Sequence, residues 1–164
     1  MTLSGRAAVR NTLATWLTGV TIPTLNQVLT SFPKRINFQV NSQPGQLSRA
    51  ASVIFIQSER ESRIAVGGAH SGWKRIDYTV IVQVFHHSLE RDSQDAMDNF
   101  DALIDAIKDR LRSDHNFGDP SEMLVWQGAE PAIDVAYGEP SPTEGGATET
   151  WAGIQFDVTQ MIQA

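Results

Sequence analysis

The chain has 164 residues and no cysteine, with 41% hydrophobic and 20% charged residues and a formal net charge of −6. These values predict one folded domain with a substantial core rather than a disordered chain. The lack of thiols excludes disulfides, cysteine-ligated zinc and a cysteine nucleophile. The negative charge and the scattered basic residues argue against a nucleic-acid binder. No apolar run approaches the roughly 20 residues that span a membrane, and Arg6 and Arg10 interrupt the N-terminal apolar stretch, so we expect neither a membrane partner nor a targeting signal.

The first 35 residues predict a helical segment. A helix is expected from Ser4, which can cap it, to about Leu17, because Gly19 ends the apolar periodicity. A second, short helix is expected over residues 23–29, since it opens with a proline and another proline follows it.

Residues 36–164 predict a β-sheet that is interrupted by one long helix. The first strand, Ile36–Val40, alternates apolar and polar residues. The other strands are expected at 52–58 and 62–66, which form a hairpin around the charged turn 59–61, and at 73–86, 123–126, 132–137 and 151–162. The predicted fold class is therefore α+β, in a single domain over residues 1–164. It has a single, mostly antiparallel sheet packed against one long helix, plus an N-terminal helix.

Two polar loops are long for a compact domain. They cover residues 41–49, which include Pro44 and Gly45, and residues 138–150, which are rich in Gly, Pro, Thr and Glu. Such loops are uncommon unless they are disordered or have a task. In a monomeric enzyme either loop could act as a lid, whereas in an assembly protein they become ordered against a neighbour. The second interpretation makes Pro44 and Gly45 candidate interface anchors.

The long helix, expected over residues 93–113, has two opposite faces. Its apolar face consists of Ala96, Met97, Phe100, Leu103, Ile104, Ile107 and Leu111. Its acidic face consists of Asp95, Asp98, Asp101, Asp105 and Asp109. The acidic face is either a solvated outer surface or one that meets a basic partner, a divalent cation or a channel from which DNA is kept away. No base or nucleophile accompanies these carboxylates, so general acid–base catalysis is not predicted.

The remaining motifs do not point to a catalytic or metal site. The glycine-rich stretch 67–72 lacks the Lys-Ser/Thr pair of a phosphate loop and precedes a strand rather than a helix. His86 and His87 are adjacent on a strand and point to opposite faces, while His70 and His115 have no companion at a ligand spacing. We therefore expect no catalytic residue, no cofactor and no metal.

A family resemblance rests on the order of the elements. After an N-terminal helix and a hairpin come a strand over Trp73–Val80, a helix containing Asp98–Ile107 and a closing strand over Trp151–Val158. This arrangement resembles the tail terminator proteins of long-tailed bacteriophages. Trp73 and Trp151 each open a strand, where they are either core residues or candidate interface anchors.

The resemblance implies a structural, non-enzymatic virion protein of the tail or neck, assembled in the host cytoplasm. Six copies would form a ring on the head-proximal end of the tail tube, stop tube polymerisation and offer a joining surface to the head–tail connector or stopper protein. DNA would pass through the ring without specific binding, beside acidic residues of the helix or beside Glu139 and Glu144. Two other classes remain open: a different neck component, such as a connector or stopper, and a small α/β enzyme or ligand-binding domain with a deep pocket.

Overall fold

The computed structural model describes residues 5–63, 72–119, 124–128, 131–143 and 145–163. In chain order the elements are α1 (Arg6–Thr18), β1 (Leu25–Leu29), β2 (Ser48–Arg63), β3 (Trp73–Ser88), α2 (Ser93–Arg112), β4 (Leu124–Trp126), β5 (Ile133–Tyr137), β6 (Ser141–Pro142) and β7 (Thr148–Gln163). The expected strand at 62–66, most of the glycine-rich stretch and Glu144 lie wholly or partly outside the described residues. No helix in the described part of the chain is long and apolar enough to cross a membrane.

The sheet has seven strands in the order β1-β2-β3-β7-β4, and β5 and β6 pair with the same edge of β7 as β4. β2, β3 and β7, each of 16 residues, form an antiparallel centre, whereas β1 runs parallel to β2. The predicted fold class is therefore wrong. The sheet is mixed because the chain crosses back over residues 30–47 and enters β2 parallel to β1. Both α1 and α2 pack on the sheet, whereas one long helix was expected to cover it.

Two N-terminal predictions are also wrong. Residues predicted as a short helix form β1, because Leu25–Leu29 pair with Ala50–Val53 and this pairing overrides local propensity. The predicted strand Ile36–Val40 lies in turns. The side chain of Asn37 accepts a hydrogen bond from the Gln39 amide at 3.0 Å, and its carbonyl accepts one from the Val40 amide at 3.3 Å. Asparagine favours such turns over a ladder.

The predicted hairpin turn at 59–61 is part of β2 instead. The strand continues to Arg63 and pairs with β3 along its whole length, with a bulge between Ile56 and Ser58. Residues 59–61 are exposed and charged because β1 pairs only with residues 50–53, which leaves this half of β2 at an edge. Charged residues on an edge strand discourage the addition of a further strand.

Both helices pack on one face of the sheet. That face is formed in β3 by alternate residues such as Val80, Val82 and Val84, all fully buried. A clamp between Trp16 and Arg110 joins α1 to α2. The indole Nε1 donates to the Arg110 carbonyl at 2.8 Å, Arg110 Nε donates to the Trp16 carbonyl at 2.8 Å, and the guanidinium carbon lies 3.4 Å from the indole centroid.

The Trp16 ring also lies close to Gly118, which has a φ of +68°. A Cβ at this position would lie 2.8 Å from the ring atom Cε3. We expect Gly118→Ala to lower the free energy of unfolding by about 2 kcal/mol, through backbone strain and overpacking together.

Gly45→Ala is the matched control for Gly118→Ala, since Gly45 has a φ of +76° and no atom within 4 Å of an added Cβ. The free energy of unfolding of Gly45→Ala should fall only by the backbone-strain part, about 1 kcal/mol. Urea denaturation of both variants measures the difference, and equal losses would contradict the role assigned to the Trp16 contact.

Candidate interaction surface

The face of the sheet opposite the helices is only partly covered. Residues 30–47 cross it above β2, where Ala51 and Val53 point away from the helices and are still fully buried. Two ring contacts hold this crossing segment: Phe32 lies 5.2 Å from Phe55, and Phe38 lies 5.1 Å from His87. Beyond the segment, the alternate residues of β3 and β7 are half-buried or exposed, except for Thr159, which is buried. We refer to this uncovered area as the open face.

A groove of about 720 Å³ lies between the crossing segment and the sheet. It is lined by Arg35, Ile36, Asn37, Phe38, Gln39, Phe85, His87 and Glu149. His87 Nδ1 and the Glu149 carboxylate approach to 3.4 Å across β3 and β7. The groove is thus mixed in character, with aromatic side chains beside a cation and one acid.

A smaller groove of about 300 Å³ continues the open face across β7 and β5. Trp151, the cross-strand partner of Phe85, forms one wall and is 43% exposed, while Gly153 and Ala136 contribute no bulk. A side chain at Gly138 would collide with the Trp151 indole, so the indole rests directly on the backbone there. A rigid, half-exposed tryptophan beside small residues is typical of a contact hot spot.

Basic residues lie beside the first groove. Lys34 and Arg35 are exposed on the crossing segment. Arg49 lies opposite His87 in the ladder, and its Nε is shielded from solvent without a hydrogen-bond partner among the described residues. An interpretation as scattered cations misses part of this patch: the first 58 residues contain five basic and no acidic residues, and three of the five, Lys34, Arg35 and Arg49, lie here, whereas Arg6 and Arg10 belong to α1.

The acidic face predicted for the long helix lies on the side of the sheet opposite the open face. Asp95, Asp98, Asp101, Asp105 and Asp109 are all exposed on the outer surface of α2. Asp105 pairs with Lys108 at 3.0 Å and Asp98 accepts from Gln94 at 2.8 Å. Met97, assigned to the buried face, is instead 39% exposed and borders the acids.

The other predicted residues do not form one patch. Glu139 is exposed in the segment after β5. Trp73 is half-buried near the start of β3, 12 positions along the ladder from the Phe85–Trp151 pair, or roughly 40 Å away. Pro44 and Gly45 are exposed in a turn of the crossing segment, where the positive φ explains the glycine. Of the four predicted anchors, Trp151 alone lines a described groove.

Among the described residues, two titratable groups have clearly shifted pKa values. Burial, with Glu59 as the next cause, raises the pKa of Tyr78 to about 12; its hydroxyl donates to Gln160 at 3.2 Å. Burial lowers the pKa of His86 to about 4, and the ring lies in the core, 5.3 Å from Phe100. Neither group opens into a groove with a nucleophile. In the part of the chain that the structure describes, no group of three or more His, Asp or Glu residues is placed to hold a metal.

No protein-family model matches the chain, and no curated protein matches it.

Proposed function

We propose that the chain is a structural subunit of a bacteriophage tail, a tail terminator whose copies form a ring on the head-proximal end of the tail tube. The observation that carries this proposal is the pair of unlike surfaces on opposite sides of one sheet. One is the grooved, aromatic open face with Lys34 and Arg35 at its border, and the other is the acidic outer surface of α2. Closed rings use heterologous contacts, so each copy needs two surfaces of this kind.

The sheet edges support contact through faces rather than strand addition. The free half of β2 carries Glu59, Arg60 and Glu61, and the opposite edge is broken into the short strands β4, β5 and β6. Short, charged and interrupted edges oppose continued strand pairing. A subunit of this design can bind the end of a tube through one surface without presenting a new edge for the next tube subunit.

The net charge also suits a ring through which DNA moves. The whole chain carries −6, and Glu139 is an exposed acid that lies outside the α2 surface. A passage bordered by negative charge repels the phosphate backbone, so DNA would pass without specific binding. The head-side connector would bind the ring surface that faces away from the tube.

Negative-stain microscopy of the purified chain tests the ring, and addition to polymerising tube protein tests its task. We expect rings with a central opening and a mass of six copies, and tubes that stop growing at substoichiometric amounts. Tubes of unchanged length would contradict a terminator. Rings that bind the connector but not the tube would identify a different neck component.

A further inference from the structure

The two surfaces differ in charge as well as in shape. Residues 1–58 carry five positive charges and no acid, and since the whole chain carries −6, residues 59–164 carry −11. Two of the five cations, Arg6 and Arg10, belong to α1 on the same side of the sheet as α2, and Arg6 pairs with Glu59 at 3.9 Å. The crossing segment brings Lys34 and Arg35 to the open face, while α2 brings its aspartates to the opposite side. One copy therefore cannot pair the aspartates of α2 with Lys34 and Arg35.

The basic side lacks partners of its own. Among the described residues neither Lys34 nor Arg35 makes an ion pair, and the Nε of Arg49 is shielded from solvent without a hydrogen bond. The single acid lining the adjacent groove, Glu149, is paired with His87. A shielded N–H without an acceptor is costly, and a carboxylate is the partner that a guanidinium binds most strongly.

The acidic surface of α2 offers carboxylates and an apolar side chain to the groove on the open face. The aspartates from Asp95 to Asp109 extend along about 21 Å of helix. Asp101 has no ion pair or hydrogen bond within the described residues, and the exposed Met97 beside it offers an apolar contact for the aromatic groove. Methionine adapts readily to aromatic surfaces.

We propose that the acidic outer surface of α2 on one copy docks on the open face of the next copy, against Lys34, Arg35 and Arg49. This inference rests on the proposed ring and names the contact that builds it. Because the two surfaces lie on opposite sides of the sheet, a two-fold dimer cannot use both at once. The association is therefore head-to-tail, and it closes into a ring or continues as a filament.

Two charge-reversed full-length variants test the contact. K34D/R35D makes both surfaces acidic, and D101R/D105R reverses charge on the helix surface. Sedimentation at 50 and 500 mM NaCl should show that each variant alone needs at least about tenfold more protein than wild type for half-assembly, because like charges then meet. Wild-type assembly should weaken at the higher salt concentration, since the Debye screening length shortens to a few ångströms.

An equimolar mixture of the two variants is the decisive sample. The acidic helix of K34D/R35D meets the unmodified basic groove of D101R/D105R, and the reversed groove meets the reversed helix. Alternating copies should then assemble near the wild-type concentration. R60D/R63D is the matched control, because it reverses two exposed cations of β2 outside the groove and should assemble as wild type does.

Each outcome separates the contact from the proposed function. Rings that persist in both variants, or folded variants whose mixture stays dissociated, overturn the contact and leave the terminator proposal standing. Charge-dependent open chains support the contact and contradict a closed ring. Wild-type protein that remains monomeric at low salt while it still arrests tube growth overturns the contact alone, and monomers that do not arrest growth contradict both.

Discussion

Replacing Trp16 by alanine should lower the free energy of unfolding by about 3 kcal/mol, at the lower end for truncation of a buried tryptophan because Trp16 is half-buried. The substitution removes the indole hydrogen bond to the Arg110 carbonyl and the stacking of the guanidinium on the ring. It also leaves a space beside Gly118. Since this clamp joins α1 to α2, its loss loosens the helical layer as a unit.

Urea denaturation followed by circular dichroism measures the loss. Trp151→Ala provides the comparison, since Trp151 is 43% exposed on the open face and its truncation should cost about 1 kcal/mol or less. A loss below 1 kcal/mol for Trp16→Ala, or equal losses for both variants, would show that the clamp does not hold the helices together.

Acid should destabilise the protein through His86. The ring is 1% exposed, and its Nε2 has no hydrogen-bond partner in the described part of the chain. Burial and the neighbouring His87 lower the pKa from 6.5 to about 4. Above pH 6.5 the imidazole is neutral in both states and contributes nothing. Between pH 6.5 and 4 the unfolded chain takes up the proton first, so stability falls by about 3 kcal/mol as the pH decreases.

His86→Leu separates this effect from general acid denaturation. Between pH 7 and pH 4 the wild type should lose about 3 kcal/mol more than His86→Leu. His115→Leu is the control, because His115 is exposed and its removal should keep the acid sensitivity. Unfolding free energies from urea titrations at both pH values give the comparison. A parallel decline of the wild type and His86→Leu would rule out His86 as the sensor.

The sequence predicts α2 and β3 well because their patterns are long and local. Apolar residues at helical spacing place the helix at 93–113, and the structure has it at Ser93–Arg112 with Phe100, Ile104 and Ile107 buried. A long, largely apolar run likewise predicts the strand that begins at Trp73. Met97 is the exception on the helix, since it lies at the border of the apolar arc.

Other elements depend on partners far along the chain. Leu25–Leu29 form a strand because they pair with Ala50–Val53, and the sequence of β1 alone does not predict this pairing. The bulge between Ile56 and Ser58 turns Glu59 toward the side of Tyr78, which period-two alternation cannot predict. In the sequence alone, the charged residues 59–61 in the middle of β2 therefore resemble a turn.

The open face is invisible to local patterns for the same reason. Phe85 and Trp151 become neighbours only through the pairing of β3 with β7, and Phe38 joins them through the crossing segment. Sequence reasoning left Trp151 either as a core residue or as a candidate interface anchor, and it did not predict the groove beside this residue. The absence of acids from the first 58 residues can be seen in the sequence, but only the fold shows that Lys34, Arg35 and Arg49 of this segment lie beside the groove.

The position of β7 has a consequence for biosynthesis. This strand lies between β3 and the β4–β6 edge, and it pairs residues about 80 positions apart, such as Tyr78 with Val158. During translation, one side of β3 stays bare until residues 148–163 leave the ribosome, and β4–β6 wait for the same event. High contact order of this kind slows folding and prolongs exposure of an apolar edge. Nascent chains are therefore most prone to aggregate just before synthesis reaches β7.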